Sequence, residues 1–200
     1  MDRWLREFLD LASFDSIDQS RNGLQVANSI PEVKKVAFAV DASMESFRRA
    51  IEWGAQVLFV HHGILWEEPE RVVGAFYERL RTLFEGNLAL YAAHLPLDQH
   101  PEVGNNIGIA RHLGLQDIVP FGTYRGTKIG YKGAFPTPAR LDDVVSRLSG
   151  GHAEQIRSLP FGPELIRTVG IVSGGAAREV FQAVEENLDL YITGEPLHQI

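Results

Sequence analysis

VLFVHHGILW, residues 57–66, runs four apolar residues straight into two adjacent histidines. A short apolar run of this kind reads as a buried strand over 57–60. Neighbours on a strand point to opposite faces, so a strand continuing through 61 and 62 would aim the two rings apart. The pair is therefore read as the point where the strand unwinds into a loop. There the alternation relaxes and, aided by Gly63, both rings can turn toward one cavity. They could then bind two metal ions, one ring each, or a single ion. The plainer alternative is a pair of satisfied core histidines.

The sequence on either side fixes the fold class. KVAFAV (35–40) is a second buried strand, ending at Asp41. Ser43 is placed to cap a helix with Met44, Phe47 and Ile51 inward, which Gly54 stops. Residues 69–86 predict a helix with Pro69 near its first turn and Val73, Phe76, Leu80, Leu83 and Phe84 inward. LALYAA (88–93) is a strand, followed by the loop HLPLDQHPEVG and a helix over 105–115. Residues 2–12 place Leu5, Phe8, Leu9 and Ala12 at helical spacing.

After FGTYRG the texture changes. KIGYKGAF (128–135) reads as an edge or antiparallel strand, LDDVVSRL (141–148) as a helix, and GG (150–151) as punctuation. RTVGIV (167–172) and DLYIT (189–193) are strands around a helix with Val180, Phe181 and Val184 inward. Such alternation predicts an α/β fold, with mainly parallel sheets flanked by helices. The expected subunit is compact and has two lobes, roughly 1–122 and 123–200.

Composition excludes several functions. The 200 residues carry a formal net charge of −7, which argues against a phosphate-backbone binder and so against nucleic acid. There is no cysteine, so any metal must rest on histidine and carboxylate. MDRWLREFLD lacks the apolar core of a signal peptide, and no window approaches the ~20 apolar residues of a membrane span. The expectation is a cytoplasmic protein.

Polar clusters follow the strands directly: Asp41, His61–His62, His94 to Asp98, Ser173–Gly175 and Thr193–Glu195. Ligands of open parallel sheets bind outside the strands' carboxyl ends, so these clusters are expected to meet in one cleft. In HLPLD, Pro96 disfavours helix for Leu95 and stiffens the loop between His94 and Asp98. His61, His62 and Asp98 make three ligands, the minimum for an open catalytic zinc site. His94 could equally be a strand cap. GIVSGGAAREV (170–180) is a strand, glycine loop and helix start, where free N–H groups favour an anion; a tight turn needs the same glycines. Glu195 and His198, in ITGEPLH, are acid–base candidates with His94.

Taken in order, SRNGLQV, HHGILW, AHLPLDQHPEVGNNIGIARHLGL, VSGGAA and DLYITGEPLH resemble the Ngg1-interacting-factor-3-like family. Its members are also described as dinuclear metal-centre proteins and as type 2 GTP cyclohydrolase I. The resemblance runs from about residue 4 to the last and is strongest over 57–115. It implies a toroidal homo-hexamer with two divalent ions per subunit, of zinc, iron, manganese or nickel. It assigns His61, His62 and Asp98 as ligands. It places Asn22, Ser173, Gly174, Gly175 and Thr193 along the cavity, and Asp41 and Asn105 are further candidates for the pocket or for phosphate.

This sequence departs from the family in two places. Gly63 stands where the family usually has proline, a change expected to loosen the loop. The family's later Gly-His motif and glutamate, which complete the dinuclear site, have no counterpart before Ile200. The sequence therefore looks like a truncated version of a longer protein. The function implied is a metal-dependent hydrolase acting on a nucleotide or phosphorylated small molecule. The alternative is a non-catalytic metal-binding adaptor or scaffold ring.

Overall fold

The computed structural model describes residues 1–67, 71–150 and 152–200. The chain forms two compact units, Met1–Leu97 and Asp98–Ile200.

The first unit contains α1 (Asp2–Phe8), β1 (Gly23–Val26), β2 (Val36–Asp41), α2 (Met44–Glu52), β3 (Val57–His62), α3 (Gly74–Glu85) and β4 (Ala89–Ala92). Its sheet has the order β1-β4-β3-β2; β2, β3 and β4 run parallel, and β1 is antiparallel to β4. The apolar runs of β3 and β4 are continuous because both faces of the sheet are covered there, whereas β2, expected to be buried, is an edge strand that leaves Phe38 and Val40 exposed. Leu58, Val60, Leu90 and Ala92 pack with Phe47 of α2 and Phe76 and Leu83 of α3. Val57, Ala89 and Tyr91 pack on the other side with Leu9 and Leu11.

The Ser43 cap is present: its side chain accepts the Ser46 N–H at 3.1 Å. Helices α1 and α3 are shorter than the sequence predicts. α1 ends at Phe8, and Asp10 turns left-handed (φ 48°) before a 3-10 turn over Leu11–Phe14. α3 begins at Gly74, with Val73 extended and exposed as its cap residue. Phe84 is exposed too, because Phe76, Leu80 and Leu83 already form the stripe facing the sheet. Pro69 and Gly151 lie outside the described residues.

α4 (Leu95–Gln99) carries the chain from the first unit into the second. Helix forms here despite Pro96 because proline in a first turn forfeits an N–H that has no intrahelical partner anyway. The second unit contains α5 (Asn105–His112), β5 (Gln116–Tyr124), β6 (Thr127–Ala139), α6 (Leu141–Ser149), β7 (Ile166–Val172), α7 (Val180–Glu185) and β8 (Leu190–Thr193).

Its sheet has the order β5-β6-β7-β8, antiparallel except for the parallel pair β7–β8. β6 is thus antiparallel and interior. The α/β class stands, with the pairing mixed: each sheet gains its antiparallel pairs from β1, β5 and β6. The change of texture after residue 122 falls inside this unit, because Ala110, Leu113 and Leu115 pack with Phe135, Val169 and Ile171 in its core. On α7 the buried residue is Ala183, while Phe181 and Val184 are exposed. Small buried residues, Ala183 on this helix and Ala176 and Ala177 just before it, face the unit.

Among the described residues, no helix is long and apolar enough to cross a membrane.

Candidate metal centre

The strand does not unwind at the histidines. His61 and His62 are the last two residues of β3; His62 pairs with Asp41 of β2, and its carbonyl accepts the Ala42 N–H. The rings nevertheless approach to 4.6 Å between centroids. Each is drawn over the strand end by an acceptor on a different neighbouring strand. His61 Nδ1 bonds the Ala93 carbonyl just past β4, at 3.0 Å, and His62 Nδ1 bonds Asp41 Oδ1 at the end of β2, at 2.8 Å. β4 and β2 flank β3 on opposite sides, so the two rings are anchored to different strands.

His94 follows β4 and completes the group, its ring 4.9 Å from His61 and 5.6 Å from His62. Its Nδ1 bonds Asp18 Oδ1 at 2.8 Å. A carbonyl and two ionised carboxylates can only accept, so all three imidazoles carry their proton on Nδ1. For His62 and His94, Nε2 is then the nitrogen turned away from the carboxylate.

Asp18 is a residue the sequence reading missed. Its side chain is 1 % exposed and also accepts from the Ser20 N–H, Asn22 Nδ2 and the Leu95 N–H. Burial by itself pushes the carboxyl up, but the bonds from His94, Asn22 and Ser20 outweigh it and hold the group below the ordinary 3.8. Asn22 Oδ1 in turn accepts the His94 backbone N–H at 2.8 Å. Trp66, also missed, stands edge-on to His94 at 5.3 Å and donates its indole N–H to the Gly63 carbonyl.

Gly63 does not loosen its loop. Gln25 Oε1 accepts the N–H groups of Ile64 and Leu65, and its Nε2 donates to the carbonyls of Arg21 and Leu65. The amide lies so close that a Cβ at position 63 would meet Oε1 at 2.3 Å. Glycine is there to admit Gln25, and Gln25 pins the turn.

These residues fit a cation. One ring nitrogen from each of His61, His62 and His94 lies within 4.8 Å of the others. Three neutral imidazoles make the donor set of an open site for zinc, iron, nickel or manganese. His94, expected as an acid–base group, is thus the third member of the donor cluster.

The other expected site residues form a network within the second unit. Asp98 is buried, and its Oδ1 accepts Asn105 Nδ2 and Ser173 Oγ, both at 2.8 Å. Asn106, fully buried and also missed, takes the Ser173 N–H on Oδ1 and donates to the Ile129 carbonyl. The Gly174 carbonyl accepts from Thr193 Oγ1, the Gly194 N–H and the Glu195 N–H. Gly194 permits this approach, since a Cβ there would meet Gly174 N at 2.8 Å.

The glycine loop does not open a long helix: a 3-10 turn, Ala177–Glu179, follows it, then the six-residue α7. The Ser173 N–H, expected for an anion, is committed to Asn106. Gly175 is exposed beside the Glu195 carboxylate, and His198 is exposed near the last residue.

A family model described as Duf34/NIF3 (NGG1p interacting factor 3) matches residues 1–200. The chain is 44% identical over 197 residues to a protein of Archaeoglobus fulgidus named GTP cyclohydrolase 1 type 2 homolog, covering 98% of this chain and 77% of that one. A protein of the same name from Treponema pallidum is 41% identical over 231 residues, covering 99% and 81%. Among solved structures, one from Thermus thermophilus superposes with a TM-score of 0.86 at 39% identity, covering 99% of this chain and 77% of that one. The structural-genomics protein ybgI, of unknown function, gives 0.89 at 30% identity, covering 99% and 78%.

Proposed function

The chain belongs to the Duf34/NIF3 family, and on that footing we propose that it is a cation-dependent hydrolase acting on a nucleotide or phosphorylated small molecule. The observation that carries this reading is the group of three imidazoles, each with Nδ1 committed to an acceptor and one nitrogen within 4.8 Å of the others. His61, His62 and His94 would hold a divalent cation, which when bound would supply a water of lowered pKa and polarise the bond to be cleaved.

The chain's own residues do the rest. His94, backed by a buried carboxylate, is the fixed point of the site. His62 and Asp41 form its solvent-facing side, with side chains 40% and 68% exposed, and leave room for substrate to approach. Trp66 covers His94 on the flank. The relatives' name supports a guanine nucleotide as the first substrate to try. Two ions per subunit remain the complement implied by the resemblance. Asp98 as a further ligand, and Glu195 and His198 for proton transfer, are tested by substitution.

The test is turnover of GTP and a panel of phosphoesters by zinc- or manganese-loaded protein, beside His61→Ala and His94→Ala. Activity lost in both variants supports the reading; equal activity in variants and parent overturns it.

Exposed apolar residues favour a second reading, a metal-binding scaffold built by self-association. Phe38 on the open edge strand β2 is 75% exposed, and Phe161 is 90% exposed. Tight metal binding without turnover, together with a hexameric mass in solution, would favour it.

A further inference from the structure

Loop 15–22 grips His94 at both its backbone and its ring. Asn22 Oδ1 takes the His94 N–H at 2.8 Å, Asp18 Oδ1 takes the ring Nδ1–H at 2.8 Å, and Asp18 Oδ2 takes the next N–H, that of Leu95, at 3.0 Å. Asn22 Nδ2 also donates to Asp18 Oδ2, at 2.7 Å, tying the two grips together. The loop and the histidine are 72 and 76 residues apart along the chain at the two side-chain contacts, so no local turn requires the ring bond.

Capping the start of α4 explains the bond to Leu95, and a turn explains the bond from Ser20. Neither explains why a 1% exposed carboxylate also faces an imidazole. All four partners of Asp18 are donors. An amide in its place would set an NH₂ against two of them, so the position calls for an ionised carboxylate.

We infer that Asp18 is the positioning residue of His94, fixing its Nδ1–H tautomer so that Nε2 is the nitrogen turned to a cation. The inference rests on the cation reading given above and names the residue that prepares the ring for it. Carboxylates behind a ligating histidine orient the ring and raise its basicity, and their loss typically weakens metal binding ~10–100-fold. Asp41 supplies the contrast. It makes the same 2.8 Å bond to His62, but its side chain is 68% exposed, so water can replace it.

The experiment uses the full chain stripped of metal by a chelator. Long-range proton–nitrogen correlation of the imidazoles identifies which nitrogen of His94 carries hydrogen, and calorimetric titration with zinc chloride gives the affinity. The expected result is the Nδ1–H form in the parent chain. In Asp18→Asn that form is lost and zinc affinity drops about 10–100-fold, with the circular dichroism spectrum unchanged. Asp41→Asn shifts affinity about fivefold or less.

The Nε2–H form in the parent chain, or Asp18→Asn affinity within about twofold of the parent's, overturns the inference, since either lies outside the effect of a lost orienting carboxylate. If Asp18→Asn does not fold, the tautomer in the parent chain decides alone. Failure of the parent to bind zinc while His94 holds the Nδ1–H form sinks the cation reading and still supports the positioning role.

Discussion

Both units end parallel strands on polar residues, yet the two groups are built for different ends. At the carboxyl ends of β2, β3 and β4 the chain sets three imidazoles, each bonded through Nδ1 to an acceptor outside the group. At the ends of β7 and β8 it sets Ser173, Gly174, Thr193 and Glu195, which bond one another and the Asp98–Asn105–Asn106 cluster. The first group turns its acceptors outward and keeps ligand nitrogens together. In the second, Asp98 Oδ1, Asn106 Oδ1 and the Gly174 carbonyl accept from members of the group. Strand ends collect polar residues in either case, and the two groups differ in where their hydrogen bonds go.

The largest expected effect is on the first group. Replacing His61, His62 or His94 by alanine leaves two imidazoles, fewer than an open zinc site needs, and calorimetric zinc binding should fall below detection. Thermal stability should change little for His62, whose side chain is 40% exposed. Retained zinc affinity in all three variants would show that the imidazoles are as self-contained as the second group.

For the second group the expected loss is stability. Asp98→Ala strands Asn105 Nδ2 and Ser173 Oγ, each a donor beside a buried residue. Asn105 is exposed and Ser173 half-buried, so each lost bond costs a net ~0.5–1.5 kcal/mol, together about 2 kcal/mol, read from urea unfolding. If Asp98→Ala instead leaves stability unchanged and weakens zinc binding, Asp98 serves as the ligand that the resemblance assigns, and the contrast between the groups fails.

Gly63→Ala comes next. The added Cβ displaces the Gln25 amide, which makes four hydrogen bonds around the HHG turn. At a net ~0.5–1.5 kcal/mol each, losing half of them costs about 2 kcal/mol. Gln25→Ala in the same background should restore the space without restoring the bonds. A neutral Gly63→Ala would mean that the turn tolerates another conformation.

How far the sequence revealed these groups depends on whether a residue's partner is local. His61, His62, Ser173 and Thr193 stand at the ends of apolar runs, and the run itself marks them. Asp18 sits in DSIDQSRNG, where Asp15 and Asp18 look alike; which one turns inward is decided by a histidine 76 residues away. β5 went unseen because QDIVPFGTY leaves most of its residues exposed and contains Pro120, so it shows neither an apolar run nor alternation. α4 was hidden by Pro96, whose tolerance in a first turn depends on where the helix begins.

The buried and exposed carboxylates differ in acid. Asp18 lies below its ordinary 3.8 in the folded chain, so the native state binds fewer protons there than the unfolded state. Its contribution is full above the unfolded value and is lost as pH falls through the folded one. Urea midpoints of the parent should therefore drop as pH is lowered from about 5 to below 3. Asp18→Asn should be less stable at neutral pH and flatter over that range. Parallel curves would mean that the carboxylate is not ionised against its four donors.

Asp41→Asn should have the smallest effect, and it isolates what burial adds. Asp41 and Asp18 hold their histidines at the same 2.8 Å, so bond length does not distinguish them. Water reaches Asp41, competes for His62 Nδ1 and screens the charge, and an exposed pair of this kind contributes about 0–1 kcal/mol. The exposed His62 ring is held by this one side-chain bond, whereas the His94 ring bonds a buried carboxylate. The unfolding midpoint of Asp41→Asn should stay within that margin, and zinc should still bind. If Asp41→Asn weakens zinc binding as much as Asp18→Asn does, distance alone governs how a carboxylate prepares a ring, and burial adds nothing.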